Sequence, residues 1–472
     1  MEFMCQEHVE NLAFYFNLNK KVRVYIKDLN HQAPLLRAEA VKENVKIYGC
    51  YGRRSLKEKW VAFVTQGTVS PKTYSISFSN GVQLIDYNSF DTDKNATLED
   101  MKEVASEVEN FIGDEKFSTC SSLVRAKYSK FLTGEMVVNN IEKEYYRYLQ
   151  GALRGGANAI MPRYQMCNIK REIHVDIHQN YANILLHNSF PCGMPKEVDG
   201  YFPHEFAIYA IEPGSKAKLK QNGYPLIPRG FLGDGMVGED GEWFDAGLEI
   251  QFISDPDLQI LNDNYELKDF AIVSTLYYPE SFKGEDEFKK LIYECYIKRK
   301  NNKGKAAERF YKMLNEIIPG NFQRTVYFGS FWNSKQITEC GYNEDKRISY
   351  FNPKIGIFIT AYARQRLNDL LQFFNKEKVI GYDTDAIFFA GTKNMLREEI
   401  RNQFSDEIGG LHIDLKLINS FHKASKSYYG TDEITGEVIT RFAGVSKQGY
   451  KWMWNEDTLT FEKVDNNDTW GE

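Results

Sequence analysis

The chain has 472 residues, 42% hydrophobic and 26% charged, with a net charge of −6. This length leaves room for two to four domains and a large core. The negative balance gives no global pull on nucleic acid, so any grip on DNA must come from local basic patches. No run of 18 apolar residues occurs, so no membrane span is expected. The N-terminus, Met1 to His8, lacks the basic and apolar regions of a signal peptide. Seven scattered cysteines, an odd number without a Cys-x-x-Cys pair, point to reduced intracellular thiols and away from a zinc site or disulfide framework. P-loop and Gly-x-Ser-x-Gly signatures are absent, which removes the usual nucleotide-hydrolase and serine-hydrolase readings, and the one His-x-x-x-His spacing, His174 to His178, lies in a β-prone run without the Glu of the zinc-hydrolase helix motif.

Among the chemistry-bearing stretches read in chain order, the first is Val175 to Leu186, an apolar run with one early carboxylate, Asp176, and a Tyr five residues later, Tyr181. Residues 197–265 follow, rich in Gly and charge (Gly230, Gly233, Gly235, Gly238, Gly241, Gly247, Glu239, Asp240, Glu242), with a strand-like run at Phe206–Ile211. They read as an insertion lying across a surface. Lys298 to Lys305 is the clearest basic patch. It leads into a helical stretch in which 307, 310, 311, 314, 317 and 318 are apolar at helical spacing and Arg309, Lys312 and Glu316 lie on the other side. Pro319-Gly320 is expected to stop that helix. A solvated loop followed by an amphipathic core helix explains the same pattern equally well.

Val379 to Phe389 is the most informative segment. Asp383 and Asp385 stand two apart in an apolar, β-prone run, so strand alternation sends both to one face. Two unpaired carboxylates there repel and lose hydration, and a divalent cation such as Mg²⁺ relieves both penalties. The plainer reading is an Asp-rich tight turn of a hairpin. Asp176 from a separate strand would complete a set able to hold two metals about 3.5–4 Å apart.

Asp176 to Tyr181 resembles motif A of the family B DNA polymerases, Tyr382-Asp383-Thr384-Asp385 resembles motif C, and Lys426-Ser427-Tyr428 resembles the Lys-x-Tyr motif that follows it. Gly356 to Arg364 resembles the helix entering motif C in the protein-primed branch, which is found in small tailed phages and linear plasmids. Tyr296-Ile297-Lys298 resembles a fingers segment of that branch, and Arg154-Gly155-Gly156 the linker between its exonuclease and polymerase modules. The matches keep the family's order over most of residues 20–460. The resemblance implies an α+β right-hand polymerase with palm, fingers and thumb, following an exonuclease-like (RNase H-like) remnant. Its implied partners are a DNA template-primer, dNTPs and a terminal priming protein, with two Mg²⁺ ions (Mn²⁺ as a substitute). The protein is expected to be monomeric and to work in the cytoplasm of a host cell.

On this resemblance, Asp176, Asp383 and Asp385 hold the metals, Tyr181 stacks under the nucleotide sugar, and Lys298 and Lys312 hold the triphosphate. Lys426 and Tyr428, with Arg154, Gly155 and Gly156, contact DNA. The implied organisation is 1–115 truncated exonuclease-like, 116–165 linker, 166–196 palm with motif A, 197–265 insertion and 266–322 fingers with motif B. A second insertion (323–352), palm with motif C and Lys-x-Tyr (353–435) and a short thumb (436–472) follow.

Several departures stand out. Motif B, usually Lys-x-x-x-Asn-Ser-x-Tyr-Gly, aligns without a gap from Lys312 to Gly320, placing Glu316, Ile317 and Pro319 at the Asn, Ser and Tyr positions. Matching Asn315 instead puts Tyr311 at the Lys position and needs one insertion. Motif A lacks Ser-Leu-Tyr-Pro, motif C ends in Ala386 instead of Ser, and the linker has Leu153 instead of Tyr. Val24 to Leu35 resembles the second exonuclease motif, but Gln32 stands at its metal-binding Asp. Glu103 and Glu107 occupy the third motif without its Tyr, and no residues remain for the first. The expected function is a template-directed, protein-primed polymerase without 3′–5′ proofreading. The alternatives are a polymerase-derived DNA- or terminal-protein-binding protein with little catalysis, or a primase-like nucleotidyltransferase.

Overall fold

A computed structural model describes residues 2–10, 14–15, 17–18, 21–29, 32, 47–51, 75–78, 80–91, 93, 95–112, 119–121, 123–124, 145–226, 244–245, 250–282, 286–323, 353–424, 426–442, 450–455 and 460–465. The chain divides into two discontinuous units. One comprises Met1–Leu153, Tyr181–Glu197 and Leu276–Ile359; the other comprises Arg154–Asn180, Val198–Thr275 and Thr360–Glu472. Among the described residues, no helix is long and apolar enough to cross a membrane.

In the first unit, β2 (Val22–Ile26) is buried at all five positions. Burial on both faces marks a strand inside a parallel array. Accordingly β2 runs parallel to β1 (Glu2–Gln6) on one side and to β5 (Gln83–Asp86) on the other. Strands β4 (Ser75–Phe78) and β3 (Ile47–Tyr51) extend the sheet in antiparallel fashion. Helix α1 (Leu98–Ile112) buries Met101, Val104, Ala105, Val108 and Ile112, a single face of a 3.6-residue period. Thr97 opens it: its hydroxyl accepts from the Asp100 amide, and the Asp100 carboxylate accepts from the Thr97 amide, a reciprocal cap.

The same unit carries α2 (Tyr146–Ala152), the pair β8 (Phe190–Cys192) and β16 (Glu280–Phe282), α5 (Asp286–Asn301) and α6 (Ala306–Gln323). Helix α6 buries Ala307, Phe310, Tyr311 and Leu314, as its spacing predicts. It does not stop at Pro319-Gly320 but continues to Gln323. A proline this close to a helix end deletes one backbone bond, and Phe322, 3% exposed, anchors the added turn.

The second unit is built on a seven-stranded antiparallel sheet in the order β21 (Val438–Phe442), β20 (Ser427–Asp432), β19 (Leu411–Ala424), β7 (Asn168–Ile177), β18 (Ala386–Ala390), β17 (Val379–Asp383), β6 (Asn158–Ile160). Strand β7 sorts its side chains by alternation. Ile173, Val175 and Ile177 join the main core with Ile387 and Phe389, covered by Leu367, Leu370 and Leu371 of α7 (Pro353–Leu371) and Ile260 of α4 (Asp255–Asn264). Glu172, His174 and Asp176 therefore share the opposite face. The remaining strands form smaller sheets: β13 (Gln251–Ser254), β10 (Ala207–Ile211), β15 (Ile272–Tyr277) and β9 (Lys196–Asp199) in one, β12 (Phe244–Asp245), β11 (Lys216–Leu219) and β14 (Tyr265–Lys268) in another, with a hairpin of β22 (Tyr450–Asn455) and β23 (Thr460–Asp465). Strand β10, expected on a surface-lying insertion, is instead buried at every position. The Gly- and acid-rich residues 230–247, apart from 244–245, and nearly all of the second insertion (324–352) lie outside the described residues.

Candidate active site on the central sheet

Asp176 is fixed by the ladder. On β7 it faces Ala386 of β18 on one side and His412 of β19 on the other. Asp383 ends β17, Ala386 begins β18, and Thr384-Asp385 form the turn between them. The two aspartates thus do not share one face of one strand, as alternation suggests; a hairpin turn brings them together. Thr384 takes a left-handed conformation (φ 62), and the Asp385 amide donates to the Asp383 carbonyl at 2.7 Å. The Ile177 amide donates to the Asp385 carbonyl (3.1 Å), tying the turn to β7 beside Asp176.

The Arg154-Gly155-Gly156 stretch supports this turn from behind. The Thr384 amide donates to the Ala157 carbonyl at 2.7 Å. A Cβ on Gly156 would stand 2.7 Å from Thr384 Cγ2 and Oγ1, so only glycine fits. Arg364 on α7 makes a bidentate pair with Asp257 (2.7 and 2.6 Å) and donates to the carbonyls of Arg154 (3.3 Å) and Gly155 (2.6 Å). Burial brings the Arg154 guanidinium down to about 10, against the pull of Asp257.

The site is strongly acidic. Burial, then Asp383, then Asp414 push the Asp385 carboxyl up to about 6, while its backbone hydrogen bond and Lys426 oppose them. Lys426 Nζ lies 3.0 Å from Asp383 Oδ1, and its own backbone is left-handed (φ 60). His412 Nε2 lies 3.5 Å from Asp176 Oδ2. His412 and Asp414 were missed by sequence reasoning, although Leu411 to Leu417 alternates apolar and polar residues. Asp414 sits at a register shift between Ile413 and Leu415, a bulge that periodicity does not announce.

A buried polar layer lies on the same face of β7. Glu172 Oε1 is 2.8 Å from His174 Nε2, and both Glu172 oxygens are within 3.1 Å of His422 Nε2. The two rings donate to one carboxylate, which burial would raise but these bonds hold at about 2. Phe388 stacks on His174 (4.1 Å), and Tyr428 stacks on His422 (5.0 Å). Tyr428, expected at the DNA, is only 8% exposed and spends its ring in this layer. Among the described residues, Glu172, His174 and His422 are the one group of three whose ligand atoms all lie within 4.8 Å; Asp176, Asp383 and Asp385 do not form such a group.

The remaining expected residues belong to the first unit. Tyr181 is the second residue of α3 (Asn180–His187). Lys298, at the end of α5, lies 3.6 Å from Glu107 and over the Tyr311 ring (5.4 Å). Lys312 on α6 is exposed, with no ion pair among the described residues. The Glu107 carboxylate accepts from the Tyr311 hydroxyl, and Glu103 accepts from the Ala307 amide (3.3 Å). Gln32 accepts from the Val9 amide (2.6 Å) and donates to the carbonyls of Glu7 and Lys27.

This arrangement belongs to the α+β right-hand DNA polymerase fold. The structure is similar to phi29 DNA polymerase complexed with primer-template DNA and incoming nucleotides, with a TM-score of 0.67 and 15% identity over 96% of this chain and 91% of that one. It is likewise similar to the post-translocation binary complex of the same polymerase (TM-score 0.64, 15% identity, 94% and 89% covered) and to its single-stranded DNA complex (0.61, 16%, 92% and 85%). No protein-family model matches the sequence, and no curated protein matches it.

Proposed function

We propose that the protein is a template-directed DNA polymerase of the protein-primed kind, which joins dNTPs by two-metal nucleotidyl transfer and lacks 3′–5′ proofreading. The observation that supports this reading is the strand register: Asp176 stands near the end of β7 beside the β17–β18 turn that carries Asp383 and Asp385, and Asp414 of β19 acts electrostatically on Asp385. The donor set fits divalent cations: burial and the adjacent Asp383 raise the Asp385 carboxyl to about 6 even with Lys426 nearby, so a further positive charge would be favoured there. Asp176 and Asp383 would hold both ions, with Asp385 in support. Bound Mg²⁺ would lower the pKa of the attacking hydroxyl and neutralise charge at the α-phosphate.

The chain's own residues supply the rest. Lys426, on a strained backbone beside Asp383, is placed to leave that carboxylate for a phosphate of the primer end when a cation takes its place. Lys312 is free to meet a triphosphate. Lys298 would first leave Glu107, a half-buried partner 3.6 Å away. Tyr181 would lie under the sugar. In the first step the attacking hydroxyl would belong to a terminal protein. We assign residues 1–115 to an exonuclease-like domain, 166–196 and 353–435 to palm, 266–322 to fingers and 436–472 to thumb.

Primer extension with and without template tests the reading. Asp383→Asn should abolish incorporation and leave DNA binding largely intact. Near wild-type extension in that variant would overturn the assignment. Tight DNA binding without any extension by the wild-type chain would favour a polymerase-derived binding protein.

A further inference from the structure

We propose that His412 is a nitrogen ligand of the cation held at Asp176, so that this site favours a first-row transition-metal dication over Mg²⁺. The inference rests on the reading of Asp176 as a metal carboxylate. Three observations lead to it.

The first is register. His412 is the direct cross-strand neighbour of Asp176 in the β7–β19 ladder, and such neighbours carry their Cβ atoms about 4.5–5.5 Å apart on one face. The sheet delivers this imidazole to the metal carboxylate as firmly as the hairpin delivers Asp383 and Asp385.

The second is distance. His412 Nε2 and Asp176 Oδ2 stand 3.5 Å apart. A charge-assisted hydrogen bond between such groups closes to about 2.7–2.9 Å. Two ligands of one ion behave differently. With metal–ligand bonds of about 2.1 Å, angles between octahedral and tetrahedral set them roughly 3.0–3.4 Å apart. The pair sits close to that spacing and outside the hydrogen-bonded one.

The third is orientation. The His178 ring packs edge-on against His412, at 5.4 Å and 87°. His178 is itself anchored at both backbone groups, its amide donating to the Gly410 carbonyl (2.8 Å) and its carbonyl accepting from the Gly409 amide (2.7 Å). The His412 ring is therefore braced by a second ring whose backbone cannot drift. Glycine is required at 410, where a Cβ would lie 2.1 Å from Ser405 Oγ.

The chemical consequence concerns which ion is selected. Mg²⁺ takes oxygen ligands and keeps several waters. An imidazole replacing one of those oxygens weakens Mg²⁺ relative to transition metals, for which nitrogen is a good donor.

Mn²⁺ is the probe, because it is paramagnetic and its binding can be read without turnover. The full-length protein, stripped of metal, is titrated with Mn²⁺ while the free ion is followed by electron paramagnetic resonance, and the bound ion is examined by pulsed methods for imidazole nitrogen modulation. Nitrogen modulation should be present in the wild type, persist in His178→Asn and vanish in His412→Asn. His412→Asn should weaken Mn²⁺ about tenfold or more and change the Mg²⁺ dissociation constant, obtained by displacing Mn²⁺, less than twofold. Absence of nitrogen modulation in the wild type, its survival in His412→Asn, or unchanged Mn²⁺ affinity in that variant would overturn the proposal. Asp176→Asn separates the two readings. Loss of Mn²⁺ there without loss in His412→Asn removes the histidine alone, whereas full retention in Asp176→Asn removes the metal assignment of Asp176 as well.

Discussion

Replacing Glu172 by Gln should destabilise the central-sheet unit by about 2–3 kcal/mol at neutral pH. Glu172 is fully buried and accepts from His174 Nε2 and from His422 Nε2. Burial alone would raise its carboxyl, yet the two imidazole donors hold it at about 2 against an ordinary 4.5. At about 1.36 kcal/mol per pH unit, that difference is worth about 3 kcal/mol. The folded value lies below the unfolded one. The stabilisation is therefore complete above about pH 4.5 and drains as pH falls toward 2.

Gln cannot reproduce the arrangement, because its amide nitrogen must face one of two ring N–H groups. His422 can answer only by moving its proton to Nδ1, which is buried and has no hydrogen-bond partner. A buried N–H left unpaired costs about 1–3 kcal/mol, so the tautomer change recovers little. Urea unfolding at pH 7 and pH 3, with amide exchange over β7 and β19 to locate the effect, measures both numbers. A loss below about 0.5 kcal/mol at pH 7, or a loss that stays the same at pH 3, would refute the reasoning.

Gly156→Ala should cost about 1–3 kcal/mol by pushing Thr384 out of its turn, and single-turnover incorporation should fall while primer binding holds. Arg309→Ala leaves the Asp91 carboxylate, 0% exposed, without its bidentate partner (2.8 and 2.9 Å). It should lower stability by about 2–4 kcal/mol, read by thermal melting, and Asp91→Leu with Arg309→Met should recover much of it. Lys312→Ala should raise the nucleotide KM and lower kcat about tenfold each with primer affinity unchanged. Weaker DNA affinity with normal nucleotide kinetics would place α6 on the nucleic-acid backbone instead, and a larger effect from Tyr311→Phe would favour the Asn315 alignment of motif B.

Parts of this architecture are legible in the sequence because their signals are local. The apolar spacing of residues 307, 310, 311 and 314 specifies the buried face of α6, and the run around Asp176 specifies a strand. The relation between Asp383 and Asp385 is less legible, since alternation and a tight turn both place carboxylates two residues apart; the left-handed Thr384 decides for the turn. His412, Asp414 and the Glu172–His174–His422 layer depend on which strands become neighbours. His422 reaches Glu172 across 250 positions of sequence, and no local pattern encodes that. Pro319 misleads for the opposite reason: the local rule is sound, but burial of Phe322 outweighs it.

The proposed lack of 3′–5′ proofreading makes a prediction about the polar side chains of the first unit. A metal ligand must keep a lone pair for the ion. Gln32, at the position of a metal-binding Asp, accepts from Val9 and donates to two carbonyls, bracing the chain around β1 and β2. Glu103 accepts from the start of α6, and Glu107 is taken up by Tyr311 and Lys298. Asp91, beside the same helix, is filled by Arg309 and by the Tyr87 hydroxyl at 2.6 Å. Each of these groups makes at least one polar contact to protein. Turning Glu103 and Glu107 to a pair of metals would remove the polar contacts from α1 to Ala307 and Tyr311 of α6. The purified protein should therefore not digest single-stranded DNA from its 3′ end, and metal-dependent digestion that is lost in Glu103→Ala or Glu107→Ala would show instead that this face is a working nuclease.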